Sequence, residues 1–430
     1  MDIDISAYGL VIGASLVIIL SYFSNVIARK TNVPSVLLLI IIGIVIKQGL
    51  VYIGIERIPY EDLVLELLGT VGLIFIVLEA ALDLELSRDK WPLIWKSLLV
   101  ALFSLLASSF AIAGFLYAMV FDDFLNALVY AIPLSIMSSA IIIPSVGGLV
   151  HDQEEFMVYD GTFSDILGIM FFYLLLGNAE ATGAGEVVGS VFQNISLTLL
   201  LSVVVSYGLV LVLQRVTGEV KLFLTIAVLL LIYALGKIYH LSPLILILAF
   251  GLMLNNYKLF WKGKLKKFID IKKMKRLNHD FTVLTLETAF VIRTFFFVFF
   301  GISVVLSSLM NWTVIFYSLV ICVLLYVMRL IFLFLFQRKQ IFPLLYIAPR
   351  GLITILLYFQ IKSAYPEFVH AGFDQGILLL VIIVTSVVMT ISLIQNGFGL
   401  KAVARDKETA ELNYNEINPV LPQEIEPPKE

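Results

Sequence analysis

Charged residues, cysteines and histidines are all scarce in this sequence of 430 residues. Only 14% of the residues are Asp, Glu, Lys or Arg, whereas 60% are hydrophobic and the mean hydropathy is +1.01. This composition excludes an ordinary soluble globular protein. The single cysteine, Cys322, excludes disulfides and cysteine metal sites within the chain. The four histidines lie in loops or at the ends of apolar segments, which argues against a histidine metal cluster or proton wire.

A nucleotide-binding loop of the form Gly-x-x-x-x-Gly-Lys is also absent, which argues against an ATP-driven pump. A membrane-embedded enzyme is disfavoured because no nucleophile with a neighbouring base and no metal-ligand spacing is present. We therefore expect a protein that is not an enzyme, with no cofactor and no nucleic-acid partner.

Long apolar runs fill most of the chain, and each is close to the roughly 20 residues that an α-helix needs to cross about 30 Å of hydrocarbon. They predict an all-α polytopic membrane protein with about 13 transmembrane helices. The first run is not followed by a small-residue cleavage site, so we interpret it as a true span. The predicted spans, numbered 1 to 13, are approximately 7–27, 33–54, 63–82, 93–121, 124–150, 156–178, 188–214, 219–239, 242–257, 281–308, 311–336, 341–363 and 372–398.

The distribution of basic residues supports this number of spans. With the N-terminus outside and the C-terminus in the cytoplasm, 22 of the 29 lysines and arginines fall in cytoplasmic segments, four fall outside and three lie within spans. Cytoplasmic loops are enriched in Lys and Arg, so this orientation is the predicted one. Residues 258–280 form a basic connector, predicted to lie as an amphipathic helix on the anionic inner leaflet at Lys262–Arg276. Residues 401–430 are predicted to be a short disordered cytoplasmic tail.

Two acids lie in span 6, at Asp160 and Asp165. A carboxylate within a membrane is costly unless it is paired, neutralised or hydrated, so Asp165 is a candidate site for a proton or a monovalent cation. The alternative is an acid that only pairs with an arginine across the bundle. Asp160 lies five residues away, about 140° around the helix, so the two cannot line one site from the same face. We predict that Asp160 instead pairs with Arg329, a permanent charge in span 11.

Two spans contain a proline close to small or hydroxyl residues. The interruptions are Ser138, Ser139 and Pro144 in span 5, and Pro349, Arg350 and Gly351 in span 12. Interruptions at corresponding positions predict an inverted repeat of six helices, with broken helices offering oxygen ligands at the middle of the membrane. For span 5, the alternative is an ordinary proline kink with serines that pack helix against helix.

Three further charged residues lie within apolar spans. Glu79, in span 3, either lines an inward cavity and helps to bind the cation or is a helix-end acid that reaches solvent. Glu287 and Arg293 in span 10 are six residues apart, too far around the helix for a local pair. We expect each of these two to contact a neighbouring helix in a structural role.

The ordered set of these segments resembles the monovalent cation:proton antiporter superfamily, which includes sodium/proton exchangers and their potassium-efflux relatives. The resemblance covers about residues 10–395. It rests on the order of Val33-Pro-Ser-Val-Leu-Leu-Leu, Leu-Glu-Ala-Ala-Leu82, the Ser-Ser-Ala-Ile run before Pro144, Asp-Gly-Thr-Phe-Ser-Asp165, Phe-Phe-Phe-Val-Phe-Phe-Gly301, Met-Arg-Leu330 and Pro-Arg-Gly351. It implies a bacterial inner-membrane homodimer that moves ions by an elevator-like displacement. It also implies a scaffold and dimerisation part, spans 1–3 and 7–10, and an ion-transporting core, spans 4–6 and 11–13.

The resemblance also assigns roles to single residues. Asp165 matches the essential ion-binding aspartate, with Na⁺ or K⁺ as its metal ion, and Ser164 holds the position before it. A neutral residue there accompanies electroneutral exchange in the family. Asp160 matches an acid that pairs with an arginine. Ser138 and Ser139 lie near the hydroxyls of the family's broken helix, but Ile142-Ile143-Pro144 stands where the family has Thr-Asp-Pro.

The sequence therefore predicts a secondary antiporter that exchanges Na⁺, or alternatively K⁺ or Li⁺, for H⁺ within a membrane domain of residues 1–400. The alternatives are a K⁺/H⁺ antiporter of the potassium-efflux type and a cation channel. A channel is disfavoured because the sequence contains no segment typical of a selectivity filter.

Overall fold

The computed structural model describes residues 7–31, 33–52, 61–177, 184–215, 221–238, 243–261, 267, 269–304, 306–338, 341–370 and 372–395. The predicted tail, 401–430, lies outside these residues. The α-helices are α1 (Ala7–Thr31), α2 (Ser35–Tyr52), α3 (Glu61–Asp83), α4 (Trp91–Met119), α5 (Phe124–Ser135), α6 (Ser139–Ser145), α7 (His151–Gly177), α8 (Ala184–Arg215), α9 (Lys221–Ile238), α10 (Pro243–Asn255), α11 (Tyr257–Phe260), α12 (Ile271–Ser303), α13 (Trp312–Phe336), α14 (Ile341–Leu344), α15 (Leu352–Ala364) and α16 (Gln375–Gln395).

The all-α membrane fold is confirmed. Within the described ranges, nine helical stretches are long and apolar enough to cross a membrane, and shorter apolar stretches lie in α8, α9, α10 and α15. Each predicted span corresponds to one of these helices, except that spans 5 and 12 are each divided into two, α5 with α6 and α14 with α15.

Polar caps mark where several helices begin. The side chain of Asp123 accepts a hydrogen bond from the Asn126 N–H at the start of α5, at 3.0 Å. Asn311 accepts one from the Thr313 N–H at the start of α13, and Asp270 accepts two from the first turn of α12. Each cap satisfies N–H groups that have no partner within the helix, which fixes the first turn.

The helices pack as two groups. The scaffold group consists of α1, α2, α3, α8, α9, α10 and α12, and the core group consists of α4 to α7 and α13 to α16. Within the scaffold group, α2 and α12 approach so closely that a Cβ at Gly43 or at Gly301 would collide with the backbone of the other helix. Glycine is required at both positions because nothing larger fits between the two backbones.

The two groups meet mainly where α15 of the core crosses α3 of the scaffold. The side chain of Leu356 lies over two α3 glycines, 3.3 Å from where a Cβ of Gly69 would stand and 3.8 Å from that of Gly72. One turn further along α15, Gln360 Nε2 donates to Thr70 Oγ1 at 3.3 Å. At these positions the contact between the groups therefore consists of a leucine side chain over two glycines and one hydrogen bond between side chains.

The structure corrects the prediction for the basic connector. Residues 271–280 are not a separate helix on the membrane surface, because they form the first turns of α12, which is continuous to Ser303. At 1.5 Å per residue its 33 residues span about 50 Å, so the first turns extend beyond a hydrocarbon layer of about 30 Å. Tyr257–Phe260 forms the short helix α11, and residues 262–266 and 268 lie outside the described residues.

Candidate functional site

The break between α5 and α6 covers Ile136, Met137 and Ser138, and other helices take over the hydrogen bonds of its backbone. The Met137 N–H donates to Ser164 Oγ at 3.0 Å, and the Ser138 N–H donates to the Pro349 carbonyl at 2.9 Å. The next N–H, that of Ser139, donates to Asp165 Oδ2 at 3.1 Å. Buried backbone groups need partners, so these three bonds replace the helical bonds that the break removes.

The carbonyl groups freed at the end of α5 are satisfied by Arg350. Its Nε donates to the Leu134 carbonyl at 3.2 Å, its Nη2 donates to the Ser135 carbonyl at 3.3 Å, and its Nη1 donates to the Ala348 carbonyl. Arg350 is only 3% exposed. A permanent charge therefore lies where the two unwound segments touch, surrounded by carbonyl oxygens.

Close approach of the two breaks depends on Gly351. A Cβ there would stand 2.8 Å from Ser138 Oγ and 2.8 Å from the Ile141 side chain. Pro349 and Arg350 precede it in the stretch between α14 and α15, so the predicted interruption of span 12 lies in the unwound segment.

For span 5, however, the expectation that Pro144 marks the break is wrong, because Pro144 lies inside α6 and the break comes six residues earlier. The break is placed by its bonds to Ser164, Pro349 and Asp165, and not by the proline ring.

Helix α7 presents one face to the break. Gly161, Ser164, Asp165 and Gly168 are spaced i, i+3, i+4 and i+7, which places them on one side of the helix. A Cβ at Gly168 would collide with the side chain of Ile136, and a Cβ at Gly161 would stand 3.4 Å from the Cα of Ser139. The two glycines thus let α7 press Ser164 and Asp165 against the unwound backbone. This spacing is visible in the sequence but was not used in the prediction.

The Gly168→Ala substitution is expected to lower thermal stability, since Ile136 must move and overpacking a filled site costs about 1–3 kcal/mol. Gly177→Ala in the same helix is the matched control, because a Cβ there meets nothing within 4 Å. The melting temperatures of both variants in detergent give the comparison. An equal melting temperature for the two would contradict the assigned contact with Ile136, and Gly168→Ala/Ile136→Ala is expected to recover part of the loss.

Asp165 is held by one of its two carboxylate oxygens. Oδ2 accepts from the N–H and from the hydroxyl group of Ser139. Oδ1 is buried and has no hydrogen-bond partner among the described residues, and the residue as a whole is 2% exposed. A buried carboxylate oxygen without a donor is poised to take a proton or a cation.

The serines predicted to bind the ion occupy different places. Ser139 contacts Asp165 directly, whereas the hydroxyl of Ser164 accepts from the Met137 N–H and so holds the unwound segment. The Ser138 side chain faces Gly351. Ser139 is therefore the hydroxyl that the structure brings to the carboxylate.

Asp160 and Arg329 lie together in the interior of the core group. Arg329 Nη1 is 2.9 Å from Asp160 Oδ2, and the two side chains are 2% and 0% exposed. Arg329 also donates from Nε and Nη2 to the Leu344 carbonyl, at 3.2 and 3.0 Å, and from Nη1 to Met137 Sδ at 3.0 Å. The guanidinium therefore ties α7, α13, α14 and the unwound segment into one body.

A cavity of about 640 Å³ lies between the two groups, beside the α5–α6 break. Ser139 and Pro144 of the core line one side, and Glu79 and Arg293 of the scaffold line the other. Its wall also includes residues 33–36, which lead into α2 and form its start, and Leu393 near the end of α16. Those segments belong to the side that carries most of the basic loops, so the cavity opens towards that side.

Glu79 does not approach Asp165 as a free carboxylate. Arg293 Nη2 donates to both of its oxygens, at 3.0 and 3.1 Å, across the scaffold from α12 to α3. The expected contact of Arg293 with a neighbouring helix is thus present, but its partner Glu79 was missed. Neither alternative considered for Glu79 included an ion pair in the cavity wall.

Outside the membrane-spanning segments, one ion pair joins the start of the core helices. Lys90 Nζ, just before α4, lies 2.7 Å from Glu155 Oε1 in the first turns of α7. This hydrogen bond with Glu155 raises the pKa of Lys90. The pair links the segment that leaves the scaffold to the helix that carries Asp165.

Solved structures with a similar fold include two of one antiporter. The sodium proton antiporter MjNhaP1 from Methanocaldococcus jannaschii, in its structure at pH 8, superposes with a TM-score of 0.65 at 20% sequence identity. That match covers 92% of this chain and 100% of the other. The same antiporter in its three-dimensional electron-microscopy map gives a TM-score of 0.62 at 20% identity, covering 93% and 98%. No curated protein matches this sequence.

The sequence itself also matches a family. Residues 14–402 match the transmembrane part of the sodium/hydrogen exchangers, which is most of the chain. The match includes both broken helices, the cavity and the Asp165 region. The resemblance expected from the motifs is confirmed, and the chain belongs to the sodium/hydrogen exchanger family.

Proposed function

We propose that the protein is a secondary antiporter that exchanges Na⁺ for H⁺, with Asp165 as the group that both ions share. The observation that supports this most strongly is the state of the Asp165 carboxylate. One oxygen is fixed by Ser139 and the other is buried without a donor. Ser139 in turn lines the cavity, so the residue that holds this carboxylate separates Asp165 from the cavity.

Competition for one carboxylate produces exchange. A proton and a cation cannot both bind strongly to Asp165, so loading one releases the other. The empty, anionic site carries a desolvation cost through the apolar barrier, which holds the empty core in place. The core then moves across the membrane only when Asp165 is protonated or bound to a cation. Transport of the two ions is therefore coupled.

The charges around the site support one Na⁺ per H⁺. Asp160 is compensated by Arg329 at 2.9 Å, and Arg350 is held by backbone carbonyls. Ser164, beside Asp165, is neutral. Among the described core residues at the break, Asp165 is therefore the acid whose carboxylate is left to bind either a proton or Na⁺. The core has the same net charge with a proton bound as with Na⁺ bound.

Alternating access is proposed to follow from the two packing groups. The core would move against the scaffold along the contact of α15 with the α3 glycines, as in an elevator. With the N-terminus outside, the cavity faces the cytoplasm, and the arrangement is the inward-facing state. We also propose a homodimer in a bacterial inner membrane, with the scaffold group providing the dimer contact.

A flux measurement tests the exchange and its stoichiometry together. Purified protein in vesicles that contain a pH-sensitive dye receives a pulse of Na⁺, Li⁺ or K⁺, with the membrane potential either free or clamped by a K⁺ ionophore. We expect Na⁺-dependent proton movement at the same rate in both conditions, because no net charge crosses the membrane. A rate that changes severalfold under the clamp would contradict one-for-one exchange. Proton movement with K⁺ but not with Na⁺ would contradict the proposed substrate.

A further inference from the structure

The cytoplasmic extension of α12 has a strongly basic side. Lys272, Lys273, Lys275 and Arg276 are all exposed, and we call these four residues the basic face. The other side of the same turns is apolar and already covered, since Met274 and Phe281 are fully buried and Leu277 is 3% exposed. An amphipathic helix that binds a bilayer must offer its apolar side to lipid. This extension does not, so its exposed charges face water. Arg276 Nε lies 3.8 Å from Asp280 Oδ2 in an exposed pair one turn apart, a weak interaction that leaves the guanidinium accessible to a partner.

The basic face lies on the same helix as part of the cavity wall. Leu286 and Phe290 of α12 line the cavity wall. A helix turns by about 100° per residue, so Lys272, Lys275 and Arg276 project from the same side of α12 as Leu286 and Phe290. The positive charges therefore continue the cavity wall outward, where they lower the concentration of cations at the entrance.

The sequence contains a segment of opposite charge that belongs on this side. Between residues 408 and 430 there are six acids and one lysine. Helix α16 ends at Gln395, and its Leu393 lines the same cavity as Leu286, so the chain leaves α16 on the side of the basic face.

The intervening chain is long enough to reach. Residues 396–407 span up to about 40 Å when extended. The distance along α12 from Leu286 to Arg276 is only about 15 Å.

We propose that the acidic segment 408–430 of this chain docks on the basic face at the cavity mouth. The docked segment replaces a positive rim with a neutral or negative one, which raises the local cation concentration at the entrance. The proposed partner of the basic face is thus a segment of this chain, whereas the sequence predicted anionic lipid at Lys262–Arg276. The interaction is independent of whether Asp165 exchanges Na⁺ for H⁺.

A distance measurement between two spin labels tests the docking in the full-length protein. Labels are attached at Asn415→Cys in the segment and at His279→Cys beside the basic face, in a Cys322→Ala background. In nanodiscs of neutral phosphatidylcholine at low salt, we expect a narrow population at short distance. It is expected to disappear at about 1 M salt, where the Debye length falls to about 3 Å.

Charge-reversal variants make the test specific. Lys272→Glu/Lys275→Glu is expected to remove the short-distance population, and adding Glu411→Lys/Glu416→Lys is expected to restore it. Arg88→Glu/Lys96→Glu changes the same number of charges on the same side of the membrane and is expected to leave it unchanged. A short-distance population that survives Lys272→Glu/Lys275→Glu would overturn the proposal.

A second lipid composition separates the segment from lipid as the partner. In nanodiscs that contain anionic phosphatidylglycerol, the short-distance population is expected to persist. Its loss there would show that the basic face binds anionic headgroups instead, and would also overturn the proposal. None of these measurements requires ion transport, so their failure is distinguishable from a failure of the exchange activity.

Discussion

The Asp165→Asn variant is expected to show no Na⁺-dependent proton movement above the level of protein-free vesicles. Asparagine keeps the size of the side chain and can still accept the hydrogen bonds of Ser139 through its oxygen. It can neither release a proton nor compensate the charge of Na⁺. Because the substitution is nearly isosteric, the variant is expected to fold and to elute from size-exclusion chromatography as the unmodified protein does.

The matched control is Asp152→Asn, at the exposed start of the same helix α7. It makes the same chemical change far along the helix from the break, and we expect the exchange rate to stay within twofold of the unmodified protein. Retained exchange in Asp165→Asn would contradict the assignment of the shared site. A loss in both variants would show that α7 tolerates neither change and would remove the support for Asp165 alone.

The Arg329→Met variant is expected to be strongly destabilised. Methionine retains much of the apolar volume, but it leaves Asp160 fully buried without its cation at 2.9 Å. Removing one partner of a buried ion pair costs about 3–5 kcal/mol, because the remaining charge stays uncompensated. The loss is expected as a lower melting temperature and a lower yield of folded protein in detergent.

The double variant Asp160→Asn/Arg329→Met supplies the control for this pair. Neutralising the acid removes the uncompensated charge, so the double variant is expected to be more stable than Arg329→Met alone. If the stability losses of the two single substitutions instead add in the double variant, the pairing contributes little energy. The double variant also separates structure from transport, because Asp165 and its contact with Ser139 are unchanged in it.

The sequence predicted the order of the helices and the position of the buried charges well. Apolar runs reflect the thickness of the bilayer, which sets helix length. The same reasoning holds for Arg329, since a permanent charge in an apolar helix requires an anion, and the structure places Asp160 beside it. These features depend on one residue and its surroundings, and so they can be inferred locally.

Features that depend on contacts between distant segments were predicted less well. The interruption of span 5 was predicted around Ser138, Ser139 and Pro144 and attributed to the proline, but acceptors on α7 and before α15 fix the break at Met137 and Ser138. Similarly, the partner of Glu79 is Arg293, more than two hundred residues later in the chain. No local pattern identifies these partners. The spacing of Gly161, Asp165 and Gly168 was available in the sequence and would have indicated which face of α7 meets the break.

The start of α12 is a third point at which the structure differs from the prediction. The apolar pattern begins near residue 281, but the helix begins at Ile271 because Asp270 caps it and because Met274 and Leu277 pack against the protein. Because the other side of these first turns of α12 is basic, the sequence predicted a separate helix on the membrane surface. Helix boundaries outside the hydrocarbon layer are set by caps and packing, which hydropathy does not report.

The shared use of Asp165 is tested most directly by counting the protons released when Na⁺ binds. Isothermal titration of the purified protein with NaCl, in two buffers of different ionisation enthalpy, gives this number without any transport. At a pH where Asp165 is protonated before Na⁺ arrives, we predict close to one proton released per Na⁺ bound. Under those conditions the apparent Kd for Na⁺ is expected to rise about tenfold for each unit of lower pH, and Asp165→Asn is expected to release none. Binding of Na⁺ without proton release, or with the same release in Asp165→Asn, would contradict a single carboxylate shared by the two ions.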